Sequence, residues 1–201
     1  MTVSNGDATA DLIVADLAAW RRWLAAHATA SDGVWLVLAK KGTTHPTSLT
    51  YQEALEEALC HGWVDGQLAA GPGGTFRRRF TPRRTRSTWS KRNVGIVERL
   101  VVEGRMRPGG LAAMERARAD GAWGAAYAGA ATMEMPSDFQ AALVANRAAS
   151  EMFAQLDRAN RYAVLYRVTT ARRLDARARR IEQLVDMLAQ GKTIHQRRMP
   201  K

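Results

Sequence analysis

The residues best suited to chemistry lie in one basic segment, residues 66–97. The segment contains no Asp or Glu, and it holds eight basic residues and three aromatic rings: Arg77, Arg78, Arg79, Arg83, Arg84, Arg86, Lys91, Arg92, Phe76, Phe80 and Trp89. Like charges packed within a few ångströms repel one another unless negative charge meets them. Guanidinium groups bind carboxylate and phosphate through paired hydrogen bonds, and an indole ring adds a face for stacking or cation–π contact. The basic segment therefore predicts binding of an anion.

The predicted ligand site lies where a strand is followed by a helix, within residues 80–93. A helix N-terminus has unpaired backbone amides and the positive end of the helix dipole, which favour phosphate or carboxylate. Ser87 or Ser90 is expected to cap that helix. The predicted ligand-binding residues are Trp63, Asp65, Phe80, Arg83, Arg84, Ser87, Trp89, Ser90, Lys91 and Asn93. An alternative interpretation makes Trp89 a core residue and pairs the arginines with carboxylates elsewhere.

Two residues, Asp65 and His61, are candidates for catalysis. Asp65 is a lone carboxylate beside the basic segment, so it is expected to orient an arginine, such as Arg83 or Arg84, through an ion pair, or else to act as a general base. The ion pair is the favoured role because no second carboxylate is near in sequence. Cys60 precedes His61 directly, but adjacent residues on a helix point about 100° apart and cannot easily form a nucleophile–base pair.

Metal and cofactor sites are not expected. The four histidines have no metal-ligand spacing, and Glu57 and His61, one helical turn apart, are weak evidence for a metal site. A single cysteine excludes an internal disulfide and a cysteine-based zinc finger. Neither a glycine-rich phosphate loop nor a nucleophile-elbow motif is found.

The bulk composition is that of a basic globular protein. Over 201 residues the net charge is +11 and the sequence pI is about 10.8, which favours nucleic acid, anionic lipid or phosphorylated ligands as partners. The N-terminal sequence is polar and acidic rather than basic and then apolar, and no apolar run approaches the ~20 residues of a membrane span. These features predict a cytoplasmic protein with no transmembrane segment. The oligomeric state is left open.

Hydrophobic periodicity predicts the helices and strands that surround and include the basic segment. It predicts a helix over 16–27, an apolar strand over 34–39 and a helix over 51–61 that begins with a capping box, Thr50–Glu53. Strand-like runs over 63–68 and 75–80 flank a Gly/Pro turn and predict a hairpin. In the second of these strands, Arg78 shares a face with Phe76 and Phe80.

From about residue 87 onward the pattern is helical. A second capping box is expected at Ser137–Gln140, and a last helix over about 171–190 carries arginines that are interpreted as a solvated face. The predicted fold class is α+β, with a small antiparallel sheet and two helices followed by an all-helical C-terminal half. The expected organisation is a mixed α/β unit over 1–86, connecting helices over 87–134 and a helical region over 135–195.

Several motifs together resemble the bacterial YdeI/OmpD-associated family. They are the run 51–66, then 80–84, Ser87, 89–91 and Asn93, then 104–111 and Trp123. Residues 135–139 resemble the start of the family's OmdA-type helical region, and the likeness extends from about Trp20 to Lys192. Residues 172–177 depart from the family pattern. The resemblance implies a link to bacteriocin protection and to tolerance of cationic antimicrobial peptides, and it transfers no catalytic residues.

Three functions are consistent with these observations. The leading hypothesis is a non-enzymatic cytoplasmic protein that binds a small anionic ligand. The second is an enzyme acting on a small anionic or aromatic metabolite, with Asp65 or His61 as acid or base. The third is sequence-nonspecific nucleic-acid binding through residues 77–92, with aromatic rings as stacking platforms. A protein of net charge +11 is a poor direct trap for a cationic peptide, because long-range steering would be repulsive.

Overall fold

The structure is a computed structural model that describes residues 11–85 and 87–195. Arg86, one of the arginines of the basic segment, and the two termini lie outside the described residues. The chain divides into two compact units. The first comprises the residues up to Ser87 together with Asn93–Gly124, and the second comprises Thr88–Arg92 together with the residues from Ala125 onward.

The first unit contains a four-stranded sheet. Its strands are β1 (Asp11–Leu12), β2 (Val34–Ala39), β3 (Trp63–Ala70) and β4 (Thr75–Pro82). The spatial order is β1-β2-β4-β3, with β1 parallel to β2 and the other pairs antiparallel. The predicted hairpin is therefore β3–β4, and the apolar strand β2 pairs with its basic member, β4.

The hairpin contains an irregularity that shifts its register. Asp65 lies opposite Phe80, whereas Leu68 lies opposite Arg78, so an irregularity between Asp65 and Leu68 displaces the pairing. On the other side of β4, Leu36 lies opposite Arg78. A bulge of this kind bends the strand and re-aims the side chains beside it.

Four helices belong wholly or mainly to the first unit: α1 (Leu17–His27), α2 (Tyr51–Cys60), α3 (Lys91–Val102) and α4 (Pro108–Ala119). The Asp16 side chain caps α1 by accepting a hydrogen bond from the backbone N–H of Ala19. The predicted capping box of Thr50 and Glu53 is confirmed at the start of α2. The residues of α3 from Asn93 onward lie in the first unit.

The core of the first unit lies between the sheet and α1 and α2. Trp20, Leu24, Leu36, Leu38 and Phe80 are fully buried. Buried indole nitrogens also find acceptors, since Nε1 of Trp20 donates to the carbonyl of Ala54 at 3.2 Å.

The second unit is mostly helical. Its main helices are α5 (Ser137–Val144), α6 (Arg147–Ala154), α7 (Arg158–Thr169) and α8 (Leu174–Ala189). They enclose a core that includes Phe139, Phe153, Val164, Leu184 and Leu188. The predicted α+β class, an early sheet with helices followed by a mainly helical C-terminal half, is confirmed.

The predicted capping box at the start of α5 is wrong. Pro136 occupies the N-cap position, Ser137 is the first helical residue, and the cap makes no side-chain hydrogen bond. Within residues 11–85 and 87–195, no helix has the length and apolar character that a bilayer crossing requires.

Candidate functional site

The predicted ligand-binding residues divide between the two units. The first unit holds Trp63, Asp65, Phe80, Arg83, Arg84, Ser87 and Asn93. The second unit holds Trp89, Ser90 and Lys91.

In the first unit, two of the predicted ligand-binding residues, Trp63 and Phe80, belong to the core. The exposed fraction is 1% for Trp63 and 0% for Phe80. Nε1 of Trp63 donates to the carbonyl of Ala28 at 3.0 Å. A ring that is enclosed in this way has no face left for a ligand. Arg83 is also buried, whereas Arg84 is exposed and its backbone N–H donates to Oγ of Ser87 at 3.1 Å.

Asp65 forms an ion pair with an arginine, but its partner is Arg78 and not Arg83 or Arg84. Oδ2 of Asp65 accepts hydrogen bonds from Nε of Arg78 at 3.0 Å, from Nη2 of Arg78, and from the hydroxyl of Tyr51 at 2.9 Å. The guanidinium of Arg78 lies over the Tyr51 ring, 5.1 Å from its centroid. Because Asp65 lies opposite Phe80, Arg78 is its diagonal neighbour on the same face of the sheet. Because Oδ2 of Asp65 already accepts these three hydrogen bonds, the carboxyl group is poorly placed to act as a general base.

In the second unit, Trp89 is 4% exposed and its backbone carbonyl accepts a hydrogen bond from the N–H of Tyr127 at 2.9 Å. The N–H of Lys91 donates to the carbonyl of Tyr127 at 2.8 Å, which makes a short parallel bridge. Lys91 and Tyr127 help to line a cavity of about 340 Å³ that also contains Glu134 and Arg177. Both signs of charge line this cavity, so it offers little preference for an anion.

A larger cleft, of about 580 Å³, lies within the first unit and is here called the α1–α4 cleft. Arg21 and Arg22 of α1 line it, together with His61 at the end of α2 and residues 107–109 at the start of α4. None of the three arginines, Arg21, Arg22 and Arg107, lies in the basic segment. The sequence prediction therefore missed the arginines of this cleft.

Three glycines bring the start of α4 against the end of α2. A Cβ atom on Gly110 would lie 2.2 Å from the carbonyl oxygen of Cys60, and one on Gly62, which has φ of +80°, would lie 2.5 Å from the carbonyl oxygen of Gly109. The backbone N–H of Arg107 also donates to the carbonyl of Cys60 at 3.0 Å. This close approach places Arg107 beside His61.

An ion-pair network holds the segment that leads into α4. Glu56 accepts hydrogen bonds from Arg99 at 2.6 Å and from Arg105 at 3.1 Å. Glu103 accepts from the same two arginines, at 2.7 Å and 3.2 Å. Networks of ion pairs contribute more to the stability of a protein than isolated surface pairs do. The network fixes the backbone just before Arg107.

Behind the cleft lies the carboxylate of Glu57, whose side chain is 3% exposed. Its Oε2 accepts a hydrogen bond from Nη2 of Arg21 at 2.9 Å, and its Oε1 lies 3.7 Å from Nε2 of His61. Burial on its own would raise the pKa of Glu57, but the contacts with His61 and Arg21 outweigh it and lower that pKa to about 2. Glu57 is therefore ionised at neutral pH.

The remaining charges of the cleft are positive. Within residues 11–85 and 87–195, the side chains of Arg22 and Arg107 make no ion pair. Burial, followed by the charge of Glu57, raises the pKa of the Cys60 thiol to about 11, so this neighbour is neutral at pH 7. The N-terminus of α4 adds the positive end of a 12-residue helix. The lining of the cleft is thus suited to negative charge.

One part of this site was visible in the sequence. Glu57 and His61 stand one helical turn apart, and the structure brings them together as a carboxylate–histidine pair. Arg21 lies 36 positions before Glu57 in the sequence, and no spacing rule connects them. Among the residues that the structure describes, no group of three or more His, Cys, Asp or Glu side chains is arranged to hold a metal ion.

Two family models match different parts of the chain. Residues 12–113, just over half of the chain, match the family described as a domain of unknown function, DUF8412. The chain belongs to the DUF8412 family. Residues 132–191 match the OmdA family, described as bacteriocin-protection, YdeI or OmpD-associated, which confirms the resemblance found in the sequence over this region. The α1–α4 cleft lies within the DUF8412 match. No curated protein and no solved structure matches the chain.

Proposed function

We propose that this protein binds a small anionic ligand, a carboxylate or a phosphate, in the α1–α4 cleft. The observation that carries the proposal is that two arginines without an acidic partner among the described residues, Arg22 and Arg107, line the same cleft as His61. Unpaired charges sharing one concave surface repel one another, and a bound anion removes that repulsion.

The chemistry of the lining favours carboxylate and phosphate over other anions. Guanidinium groups present planar, paired donors that match the oxygens of these groups, and charge-assisted hydrogen bonds are roughly twice as strong as neutral ones. The start of α4 adds dipole stabilisation, and Arg107 at its N-cap makes no side-chain cap hydrogen bond. Glu57 is held behind the lining by Arg21, so its negative charge is already compensated.

We favour the α1–α4 cleft over the site expected at residues 80–93. The burial of Trp63, Phe80 and Trp89 leaves these three rings little surface for contact with a ligand. The same burial weakens the case for nucleic-acid binding, because a base cannot stack on Phe80 or Trp89. In addition, Nη1 of Arg77 forms an ion pair with Oδ1 of Asp11 at 3.2 Å, which partly neutralises the charge that a nucleic acid would contact. Binding of a small anion is therefore the better-supported function.

A role in bacteriocin protection would, on this proposal, depend on the bound anion. The net charge of +11 opposes direct capture of a cationic peptide at long range. An anionic component of the cell is a better match to the cleft. The cytoplasmic location expected from the N-terminal sequence is part of this proposal.

The test measures binding of inorganic phosphate and of citrate by isothermal titration calorimetry. In the variant R22A/R107A we expect the dissociation constant to rise at least about tenfold, because two charge-assisted contacts are lost. R116A is the matched control, since Arg116 is exposed on the same helix as the cleft but does not line it. Its dissociation constant should stay within about twofold of the wild type. Unchanged binding in R22A/R107A, or no binding to the wild type, would overturn the proposal.

A further inference from the structure

The His61 side chain joins the buried carboxylate to the α1–α4 cleft. It is about one-tenth exposed, and it lines the cleft. Nε2 is buried and lies 3.7 Å from Oε1 of Glu57, and it makes no hydrogen bond within 3.5 Å among the described residues. One edge of the ring thus meets Glu57, and the accessible part meets the cleft.

The ionised carboxylate decides which ring nitrogen carries the proton. A negative oxygen facing Nε2 favours a proton on Nε2, since the opposite tautomer would place a lone pair against the carboxylate. Nδ1 then has the free lone pair. In catalytic triads and metal sites, a carboxylate fixes the histidine tautomer in the same way.

We propose that His61 is a proton-transfer residue for the anion bound in the cleft, and that Glu57 is its positioning residue. This inference rests on the proposed function, because the substrate is the anion that the cleft binds. The substrate class is a carboxylate or phosphate that carries an exchangeable O–H next to its charge. In the proposed complex, Arg22 and Arg107 bind the negative charge of the substrate, and Nδ1 of His61 accepts the proton of its O–H group.

The transfer balances without any further reactant. The O–H bond of the substrate breaks, its electron pair stays on oxygen, and the proton forms a bond to Nδ1. The resulting imidazolium is stabilised by Glu57, and the new oxyanion is stabilised by Arg22 and Arg107. The reverse step returns the proton from Nδ1 to the substrate.

The charged groups around the ring oppose one another. Arg21 and Arg22 of α1, and Arg105 and Arg107 before α4, contribute positive charge, whereas Glu57 of α2 places a negative charge opposite Nε2. Without Glu57, the ring would lose the negative charge that faces Nε2, because the nearby carboxylates of Glu56 and Glu103 are paired with Arg105. This is why the pair, rather than His61 alone, carries the inference.

The other acid–base candidates do not have this arrangement. Asp65 accepts three hydrogen bonds from Arg78 and Tyr51 and lines no part of the cleft. Cys60 is fully buried. His61 is therefore the candidate that combines access to the cleft with a buried acidic partner.

The first measurement needs no ligand. Long-range ¹H–¹⁵N spectra of histidine-labelled protein report the tautomer of His61, assigned by comparison with H61N. We expect the neutral ring of the wild type to carry its proton on Nε2, and E57Q to shift toward a mixture of tautomers. E57D, which keeps the charge, should stay closer to the wild type. A neutral wild-type ring protonated on Nδ1 would overturn the inference.

The second measurement uses sulfate as the probe, because sulfate carries no proton near neutral pH. Calorimetry in two buffers of different ionisation enthalpy gives the number of protons taken up on binding. We expect the wild type and R116A to take up a fraction of a proton near pH 7. H61N should take up none, while its affinity falls less than that of R22A/R107A.

The two proposals fail in different ways. If sulfate binds equally to the wild type and to R22A/R107A, the proposed function fails and this inference fails with it. If R22A/R107A loses affinity but H61N takes up as many protons as the wild type, the inference about His61 alone is overturned.

Discussion

Three cationic or protonatable side chains surround the buried carboxylate of Glu57. Arg21 donates to it at 2.9 Å, and His61 and Arg105 lie 3.7 Å and 3.8 Å away. Removing one partner of a buried ion pair generally leaves the other charge uncompensated in a low-dielectric interior. At the residue scale, Glu57 therefore links the stability of the first unit to the charge of its cleft.

This linkage makes stability depend on acid pH. The pKa of Glu57 is about 2 in the folded protein, against an ordinary value of 4.5. Its contribution, on the order of 3 kcal/mol, is complete above about pH 4.5 and is lost as the pH falls toward 2. Urea unfolding at pH 7, 5, 4 and 3 should show that E57Q is less stable at pH 7 and loses less stability on acidification.

The control is E115Q, because Glu115 is exposed on α4. Its stability should follow the wild-type pH profile. An E57Q profile as steep as the wild-type one would show that other carboxylates carry the acid dependence.

The side-chain alternation of a strand was readable from the sequence, but the partner of Asp65 was not. Period-two alternation correctly put Arg78 on the face of Phe80. To predict that Asp65 pairs with Arg78, and not with Arg83 or Arg84, one must know the register of the hairpin. The irregularity between Asp65 and Leu68 shifts that register. A bulge has no sequence signature strong enough to fix that shift.

At the scale of elements, the contact between α2 and α4 determines where the cleft forms. It depends on the absence of side chains at Gly62, Gly109 and Gly110, because each added Cβ would lie within 3.0 Å of backbone atoms. Backbone atoms cannot move aside as the end of a flexible side chain can. The glycines therefore set the approach of the two helices.

Substituting Gly110 should separate the helices. We expect G110A to destabilise the protein by about 1–3 kcal/mol, since the new methyl group would lie 2.2 Å from the carbonyl oxygen of Cys60. G95A is the matched control within α3, where nothing lies within 4 Å, and it should be neutral or stabilising by up to about 1 kcal/mol. Chemical denaturation measures both. Equal stability of the two variants would contradict this account.

Sequence patterns predicted elements better than contacts between them. Thr50 and Glu53 form their capping box because both side chains point back along the first turn of α2. The same pattern fails at Ser137, where Pro136 takes the N-cap position and shifts Ser137 into the helix. The α2–α4 contact could not be predicted, because it joins residues that are nearly 50 positions apart and whose glycines have no helical periodicity.

At the scale of the whole molecule, net charge and local charge lead to different expectations. The chain carries a net charge of +11, yet many arginines of the described chain are engaged locally, as Arg78 is by Asp65 and Arg177 is by Asp138. Composition alone therefore overstates the charge that is available to a partner. Composition did not reveal the cleft either, because Arg107 is distant in sequence from the adjacent pair Arg21 and Arg22, and none of the three lies in the basic segment.

The dependence of binding affinity on salt concentration distinguishes binding of a small anion from binding of nucleic acid. Binding of a small dianion should weaken by less than about tenfold between about 50 and 200 mM salt, since only a few charges are neutralised. A protein that contacts 6–10 phosphates of a nucleic acid loses roughly 10³–10⁵ in affinity over that interval. The affinity for phosphate is measured by calorimetry at each salt concentration. The affinity for a single-stranded oligonucleotide is measured by fluorescence titration at the same concentrations. Tight oligonucleotide binding with the steeper slope would favour the nucleic-acid hypothesis.

The bridge between Ser90 and Tyr127 bears on how this chain can be recombined with others. Residues 88–92 fall inside the DUF8412 match but belong structurally to the unit that contains the OmdA match. A chimera joined after residue 124 would take residues 88–92 from the protein that supplies the N-terminal half, and not from the protein that supplies the unit to which they belong. Grafting the C-terminal module onto a foreign N-terminal half therefore requires transplanting a short internal stretch as well, so that Tyr127 keeps its backbone partners.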